Sequence, residues 1–349
     1  MLAGASGILD TKERKIMRKV CLGMNVTGTT PSAPRFRMEQ TAGERTAVER
    51  RLPGARADAL RVDRPNARGA VVRSQWIKEN GMKTVISRDG TQIAYDQVGQ
   101  GPAVILVAGA FSYRKYPGSV QLADLLAQHF TVFNYDRRGR GDSGDTKPYA
   151  VEREIEDIQA LIDAAGGSAY VWGLSSGAIL ALKAAASGLA IKKLALQEPP
   201  LFVTANDRQP PKDFIEQVTD LITSDRRDEA VKYFMTEGMG APGFVIPLMH
   251  LMPGAWAQLK AVAHTLPYDA KLLEGYTAGK PLSGKDWSLV TMPTLVMAGS
   301  ESPAFLRHGA QALAEALPHA RLLTQKGLGH TKKLSPKLIA SVLGEFFEG

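Results

Sequence analysis

Gly173-Leu174-Ser175-Ser176-Gly177 constrains the fold more than any other stretch of the sequence. It has the form G-x-S-x-G. An apolar segment, Ala169-Tyr-Val-Trp-Gly-Leu174, runs into it, and Ala178-Ile-Leu-Ala-Leu-Lys-Ala-Ala-Ala186, which reads as a helix, runs out of it. A strand that passes through a tight turn straight into a helix is one half of a crossover unit in a parallel sheet. Glycine is needed on either side because the turn is sharp and the neighbouring backbones leave no room for a side chain. Such a turn holds Ser175 at the strand tip with its hydroxyl exposed and the following N–H facing the same point.

The rest of residues 82–349 follows the same rhythm. Lys83–Ser87 and Thr91–Val98 alternate apolar and polar around Arg88-Asp89-Gly90, a hairpin signal. Val104–Ala108 is a continuous apolar run, as a strand buried on both faces should be. Further strands are expected at Thr131–Tyr135, Ile191–Leu196, Thr294–Ala298 and Ala320–Gln325. Helices are expected at Val120–His129, Glu152–Ala165, Ala304–Leu317 and Pro336–Phe347. Strands alternating with helices predict an α/β fold, a mostly parallel, doubly wound sheet. Residues 201–285 break the rhythm. They carry helical pieces near Lys212–Ile222 and Arg227–Thr236, several prolines, and Met235, Met239, Phe244, Met249, Met252 and Trp256, and they read as an inserted helical cap after the sixth strand.

Charge separates the first quarter of the chain from the remainder. Residues 1–81 hold 16 Lys and Arg against 8 Asp and Glu, which is the whole of the net +8; residues 82–349 carry 27 of each. The main domain is therefore balanced and has no electrostatic reason to bind nucleic acid. The N-terminal segment is rich in Arg, Ala, Gly and Pro and lacks sustained periodicity, so it is expected to be disordered. A short helix is expected around Asp10–Val20. Met82 opens Met-Lys-Thr-Val-Ile-Ser, and translation is expected to start there; the competing reading is a native basic tail that binds something acidic. No secretory signal is readable, since no apolar stretch follows the early basic residues. No apolar run approaches the roughly 20 residues of a membrane span. Cys21 is the single cysteine, which rules out an intrachain disulfide and fits a cytoplasmic protein. No Cys/His cluster has zinc-site spacing, and no metal or organic cofactor is expected.

Four ordered features, Val107-Ala-Gly-Ala-Phe111, Asp136-Arg-Arg-Gly-Arg-Gly-Asp-Ser143, the Gly173–Gly177 turn and Gly327-Leu-Gly-His330, give residues 83–348 a resemblance to the α/β-hydrolase superfamily, in its capped esterase, haloperoxidase-like and lactonase group. The resemblance implies that Ser175 is a nucleophile and His330 the base that takes its proton. The other histidines (His129, His250, His264, His308 and His319) are read as structural. The family usually places the triad acid three residues beyond the glycine after the strand ending at Ala298, and here that position is Ser302. Two carboxylates remain: Glu198, at the end of the preceding strand and followed by Pro199-Pro200, and Glu301. Glu198 is placed slightly ahead, with Glu301 as the alternative. The oxyanion hole is expected to combine the N–H of Ser176 with that of Ala110. Asp136 and Asp142 are expected to order their own arginine-rich loop.

These expectations describe a serine hydrolase that cleaves a small or medium carboxylic ester, lactone or thioester with an apolar portion. Ser rather than Asp in the turn argues against haloalkane dehalogenase and epoxide hydrolase chemistry. A perhydrolase or haloperoxidase-like activity and carbon–carbon bond hydrolysis use the same triad and stay open. The second class is a small-molecule receptor on the same fold, favoured by the missing acid at the usual position.

Overall fold

A computed structural model of the chain describes residues 81–329 and 334–349, apart from the side chains of residues 253 and 286. The chain divides between Glu79 and Asn80. The expected N-terminal extension, its helix at Asp10–Val20 and His330 lie outside the described residues.

The described chain opens on a hairpin, β1 (Lys83–Ile86) and β2 (Gln92–Val98), turned at Gly90 with φ 84°. Then follow β3 (Ala103–Val107), α1 (Pro117–Leu126), β4 (Thr131–Tyr135), α2 (Val151–Ala164), β5 (Ala169–Leu174), α3 (Ser176–Ala186) and β6 (Ile191–Gln197). A helical insertion comes next: α4 (Phe214–Thr223), α5 (Arg227–Tyr233), a π-turn at Phe234–Gly238, α6 (Val245–His250), α7 (Pro253–Val262) and α8 (Leu266–Leu272). β7 (Thr294–Gly299), α9 (Ala304–Ala316), β8 (Ala320–Gln325) and α10 (Pro336–Glu348) complete it.

The eight strands form one sheet in the order β1-β2-β4-β3-β5-β6-β7-β8. β2 pairs antiparallel with both β1 and β4, and every other pairing is parallel. The mostly parallel, doubly wound α/β architecture follows the βα alternation of the sequence. After β3 the chain steps outward to β4, then returns to the other side of β3 to lay down β5. Ligands of open α/β sheets bind over the carboxyl ends of the strands at such a reversal.

Alternate residues of each strand feed two apolar layers, as the period of two requires. Ile105, Val107, Val171, Leu194, Leu196 and Val296 face the layer built by α2, α3 and α9. Val104, Leu106, Trp172, Ala195, Leu295 and Met297 face the layer built by α1 and α10. This explains the continuous apolar run of β3: both of its faces are covered. A third apolar cluster lies in the insertion, around Phe214, Phe234, Ile246, Met249 and Trp256, and Ala110 and Phe111 from the loop after β3 pack against it.

Boundaries shift where local chemistry outweighs the apolar pattern. The helix expected at Val120–His129 begins instead at Pro117, because proline at the first helical position has a preset φ and no N–H to lose. It stops earlier too, and Phe130 turns inward to 1 % exposure. The insertion holds three helices that patterning did not resolve, α6 to α8. They are short, and two begin at or beside a proline; α6 buries only Ile246 and Met249, whereas α8 is covered on several sides.

Candidate active site

The carboxyl ends of β3, β5, β6, β7 and β8 meet at one edge of the sheet. Val107 pairs with Gly173, Leu174 with Gln197, Gln197 with Met297, and Gly299 with Gln325. Four non-glycine residues of the described chain have positive φ, and three of them sit here: Phe111 (62°), Ser175 (55°) and Glu198 (48°). A bulky residue in this region costs of order 1–3 kcal/mol and persists only where the surroundings dictate it.

Ser175 forms the turn between β5 and α3, with φ 55° and ψ −125°. Its N–H donates to the carbonyl of Gln197 at 2.9 Å, and its own carbonyl accepts from Ala178 at 2.8 Å. The two flanking glycines are obligatory. A Cβ on Gly173 would lie 2.5 Å from the Gly177 carbonyl oxygen, and one on Gly177 would lie 2.3 Å from that of Val107. Gly109 is also close, though less so: its Cβ would come within 2.9 Å of the Leu174 carbonyl oxygen and 3.1 Å of the Ser175 Cβ. The loop after β3, which carries Ala110, is thereby pressed against the serine. Ser176 is the first residue of α3, so its N–H has no partner within the helix.

The two candidate acids lie in opposite settings. Glu198 is fully buried, its N–H donates to Met297 O at 2.8 Å, and its Oε1 accepts the Gly299 N–H at 2.9 Å. The same Oε1 is 3.5 Å from where a Cβ on Gly329 would stand, against the residue that precedes His330. Glu301 is exposed and ion-paired with Lys326 at 3.2 Å. Ser302, at the usual acid position, has a buried Oγ with no hydrogen-bond partner among the described residues. Gln197 ties the strand tips together: its amide nitrogen donates to Leu328 O at 2.5 Å, and its amide oxygen accepts from Trp172 Nε1 at 3.1 Å. Sequence reasoning missed Gln197, since a glutamine at a strand end carries no signal of burial. Of the other histidines, His308 pairs with Asp207 at 2.8 Å, His264 with the Gly139 carbonyl at 2.6 Å, His250 with the Ile246 carbonyl at 2.9 Å and His129 with Glu348 at 3.1 Å.

The model of the alpha/beta hydrolase family matches residues 104–336, which span every element of this site. The chain belongs to that family. It is similar to the pimeloyl-[acyl-carrier protein] methyl ester esterase of Xanthomonas campestris pv. campestris, at 29% identity over 243 residues, 67% of this chain and 90% of the relative. Among solved structures it is similar to an alpha/beta hydrolase from Sphaerobacter thermophilus (TM-score 0.70, 50% identity, 76% of this chain and 100% of that one). It also shares its fold with the enol-lactonase of Burkholderia xenovorans LB400 (TM-score 0.58, 20% identity, 76% and 100%). The chain is a hydrolase.

Beside the strand tips, this alpha/beta hydrolase buries an unusual amount of charge. Arg137, Arg138 and Arg140, from the loop after β4, are at most 1 % exposed. Arg137 makes a two-pronged pair with Glu154 of α2, at 2.7 and 2.6 Å, and Arg138 makes another with Asp157, at 2.8 and 2.7 Å. Asp269 of α8 takes the third arginine and shares the first, with Arg140 Nη2 at 2.6 Å and Arg137 Nη1 at 2.7 Å. Burial opposes the Asp269 carboxylate, but the two guanidiniums outweigh it and hold its pKa below the ordinary carboxylate range. Burial pushes Asp157 and Asp136 the other way, upward, against the pull of their own partners. As expected, Asp136 orders its loop, accepting the N–H groups of Arg114 at 2.7 Å and Asp142 at 2.9 Å. Among the described residues no cluster of three His, Cys, Asp or Glu side chains is placed to ligate a metal, and no helix is long and apolar enough to cross a membrane.

Proposed function

We propose that the protein is a serine hydrolase that cleaves a carboxylic ester, lactone or thioester through an acyl-enzyme on Ser175. The observation that carries this reading is the strained Ser175 turn with the backbone of Gly109 packed against it. In the proposed mechanism His330 takes the Ser175 proton as Oγ attacks the substrate carbonyl. The N–H groups of Ala110 and Ser176 stabilise the oxyanion, and His330 returns the proton to the leaving group. Water, activated by the same imidazole, then releases the acid. Glu198, rather than Glu301, orients His330 and stabilises the imidazolium; its burial against Gly329 favours it, as the exposed pairing of Glu301 with Lys326 disfavours the alternative. The receptor reading rested on a missing acid, and the buried Glu198 weighs against it.

The helical insertion acts as a cap whose apolar cluster, joined by Ala110 and Phe111, receives an apolar part of the substrate. Esterase and lactonase relatives support the ester and lactone classes. Stopped-flow hydrolysis of p-nitrophenyl esters of increasing acyl length tests this reading. One burst of nitrophenolate per active site is expected, faster for medium than for acetyl chains and absent in Ser175→Ala. Turnover that survives Ser175→Ala would sink the acyl-enzyme.

A further inference from the structure

We infer that Asp269 and Arg140 are positioning residues that set the direction of both oxyanion N–H groups. The inference rests on the acyl-enzyme reading above and concerns residues to which that reading gives no role.

Asp269 comes from the insertion, yet its carboxylate reaches the first residue of α3 and the arginine loop after β4. Its Oδ1 accepts the Ser176 hydroxyl at 2.8 Å, which fixes the first residue of α3 and with it the Ser176 N–H. Its Oδ2 accepts Arg140 Nη2 at 2.6 Å. The other end of that guanidinium, Nη1, donates to the carbonyl of Gly109 at 2.7 Å and to that of Ser112 at 3.2 Å. The Gly109 carbonyl and the Ala110 N–H belong to one planar trans peptide and point in opposite directions. Drawing the carbonyl toward Arg140 therefore fixes where the Ala110 N–H points. Arg140 Nε, bound to Thr265 Oγ1 at 3.1 Å, stops the guanidinium from rotating.

One carboxylate thus couples the two halves of the oxyanion hole. Asp269, Arg140, Ser176 and Thr265 are all buried, so neither water nor an alternative rotamer offers them a substitute partner. Ion pairs of this kind are poor value as pure stabilisers, since an apolar cluster of equal volume is often as stable. Their advantage is fixed geometry, which is what electrostatic stabilisation of a transition state requires.

The test measures kcat per active site, with sites counted by fluorophosphonate titration and folding followed by Tm, in Arg140→Lys, Ser176→Ala and Arg138→Lys. Lysine cannot hold Asp269 and the Gly109 carbonyl at once. Arg140→Lys is expected to lower kcat about 10- to 100-fold with KM within twofold, somewhat less than outright removal of an oxyanion donor. Affinity for a boronic acid that mimics the tetrahedral intermediate falls in proportion. Ser176→Ala lowers kcat per site roughly three- to tenfold, as a smaller misalignment should. Arg138→Lys, whose arginine binds Asp157 and Asp89 away from the serine, lowers Tm and leaves kcat per site unchanged. If Arg140→Lys loses only Tm or the fraction of titratable sites, with normal kcat at the sites that remain, the network is structural and the inference is overturned. Should Arg140→Lys not fold, the Ser176→Ala value decides on the same criterion. A wild type that takes no label overturns the acyl-enzyme reading and this inference with it.

Discussion

The interior of the sheet and the layer above its carboxyl edge are built from opposite materials. In the interior, Ile105, Val107 and Ile179 are held by contact with other apolar side chains, and any partner of similar shape would serve. Above the strand tips, Arg137, Arg140, Glu154 and Asp269 are equally buried, but each is held by named atoms at 2.6–2.7 Å. The first region tolerates small displacement and supplies stability. The second tolerates little, because a buried charge that loses its partner keeps its desolvation cost. The loop that carries Ala110 and the turn at Ser175 are tied to the second region through the Gly109 carbonyl and the Ser176 hydroxyl, and Phe111 and Ser175 there have strained φ values. A polar scaffold that permits one geometry is what such loops need.

The largest separation of the two regions should come from Glu198. Glu198→Gln is expected to lower kcat/KM by about 10³- to 10⁴-fold, the scale for a triad acid that no longer sets the histidine tautomer. Glu301→Gln should stay within about twofold, as expected of an exposed ion pair. Steady-state kinetics of the two variants decides between the carboxylates, and a reversal would move the acid to Glu301. Next in size, Asp269→Asn should lower the unfolding free energy by about 3–5 kcal/mol in urea denaturation, because it leaves the buried Arg140 guanidinium without a carboxylate and takes from Arg137 one of its two. Ile179→Val, in the apolar layer, should cost about 1 kcal/mol and leave kcat unchanged. If both variants cost the same, the two regions are not materially different. The smallest effect is in the pH dependence. Asp269 has its pKa depressed below the ordinary 3.8 in the folded state, so its contribution is fully present above that value and is lost as pH falls through the folded pKa. The stability difference between wild type and Asp269→Asn should therefore be flat from pH 7 to about pH 4 and narrow only below. Asp136 and Asp157, shifted upward, contribute with the opposite sign, but they are present in both proteins and cancel.

The same contrast governs what the sequence reveals. β3, β5 and α3 are readable because burial on both faces leaves only apolar residues, and the Ser175 turn is readable because two glycines must flank it. Glu198 could be nominated from its place at a strand end beside Pro199-Pro200, but its burial could not. Asp269 was invisible. It sits in a short helix behind Pro267, 129 residues from Arg140, and nothing local distinguishes it from a solvated aspartate. Arg137-Arg138-Gly-Arg140 looks like a surface run until the carboxylates of α2 and α8 are seen to enclose it. Apolar patterning is local and periodic, whereas charge pairing across the sheet edge is neither.

The most direct test of the central claim is intact-mass detection of a fluorophosphonate adduct on the full chain. One adduct is predicted on the wild type and none on Ser175→Ala at matched fold and concentration. An adduct that persists in Ser175→Ala, or a folded wild type that stays unlabelled, would contradict the assignment of Ser175 as an activated nucleophile.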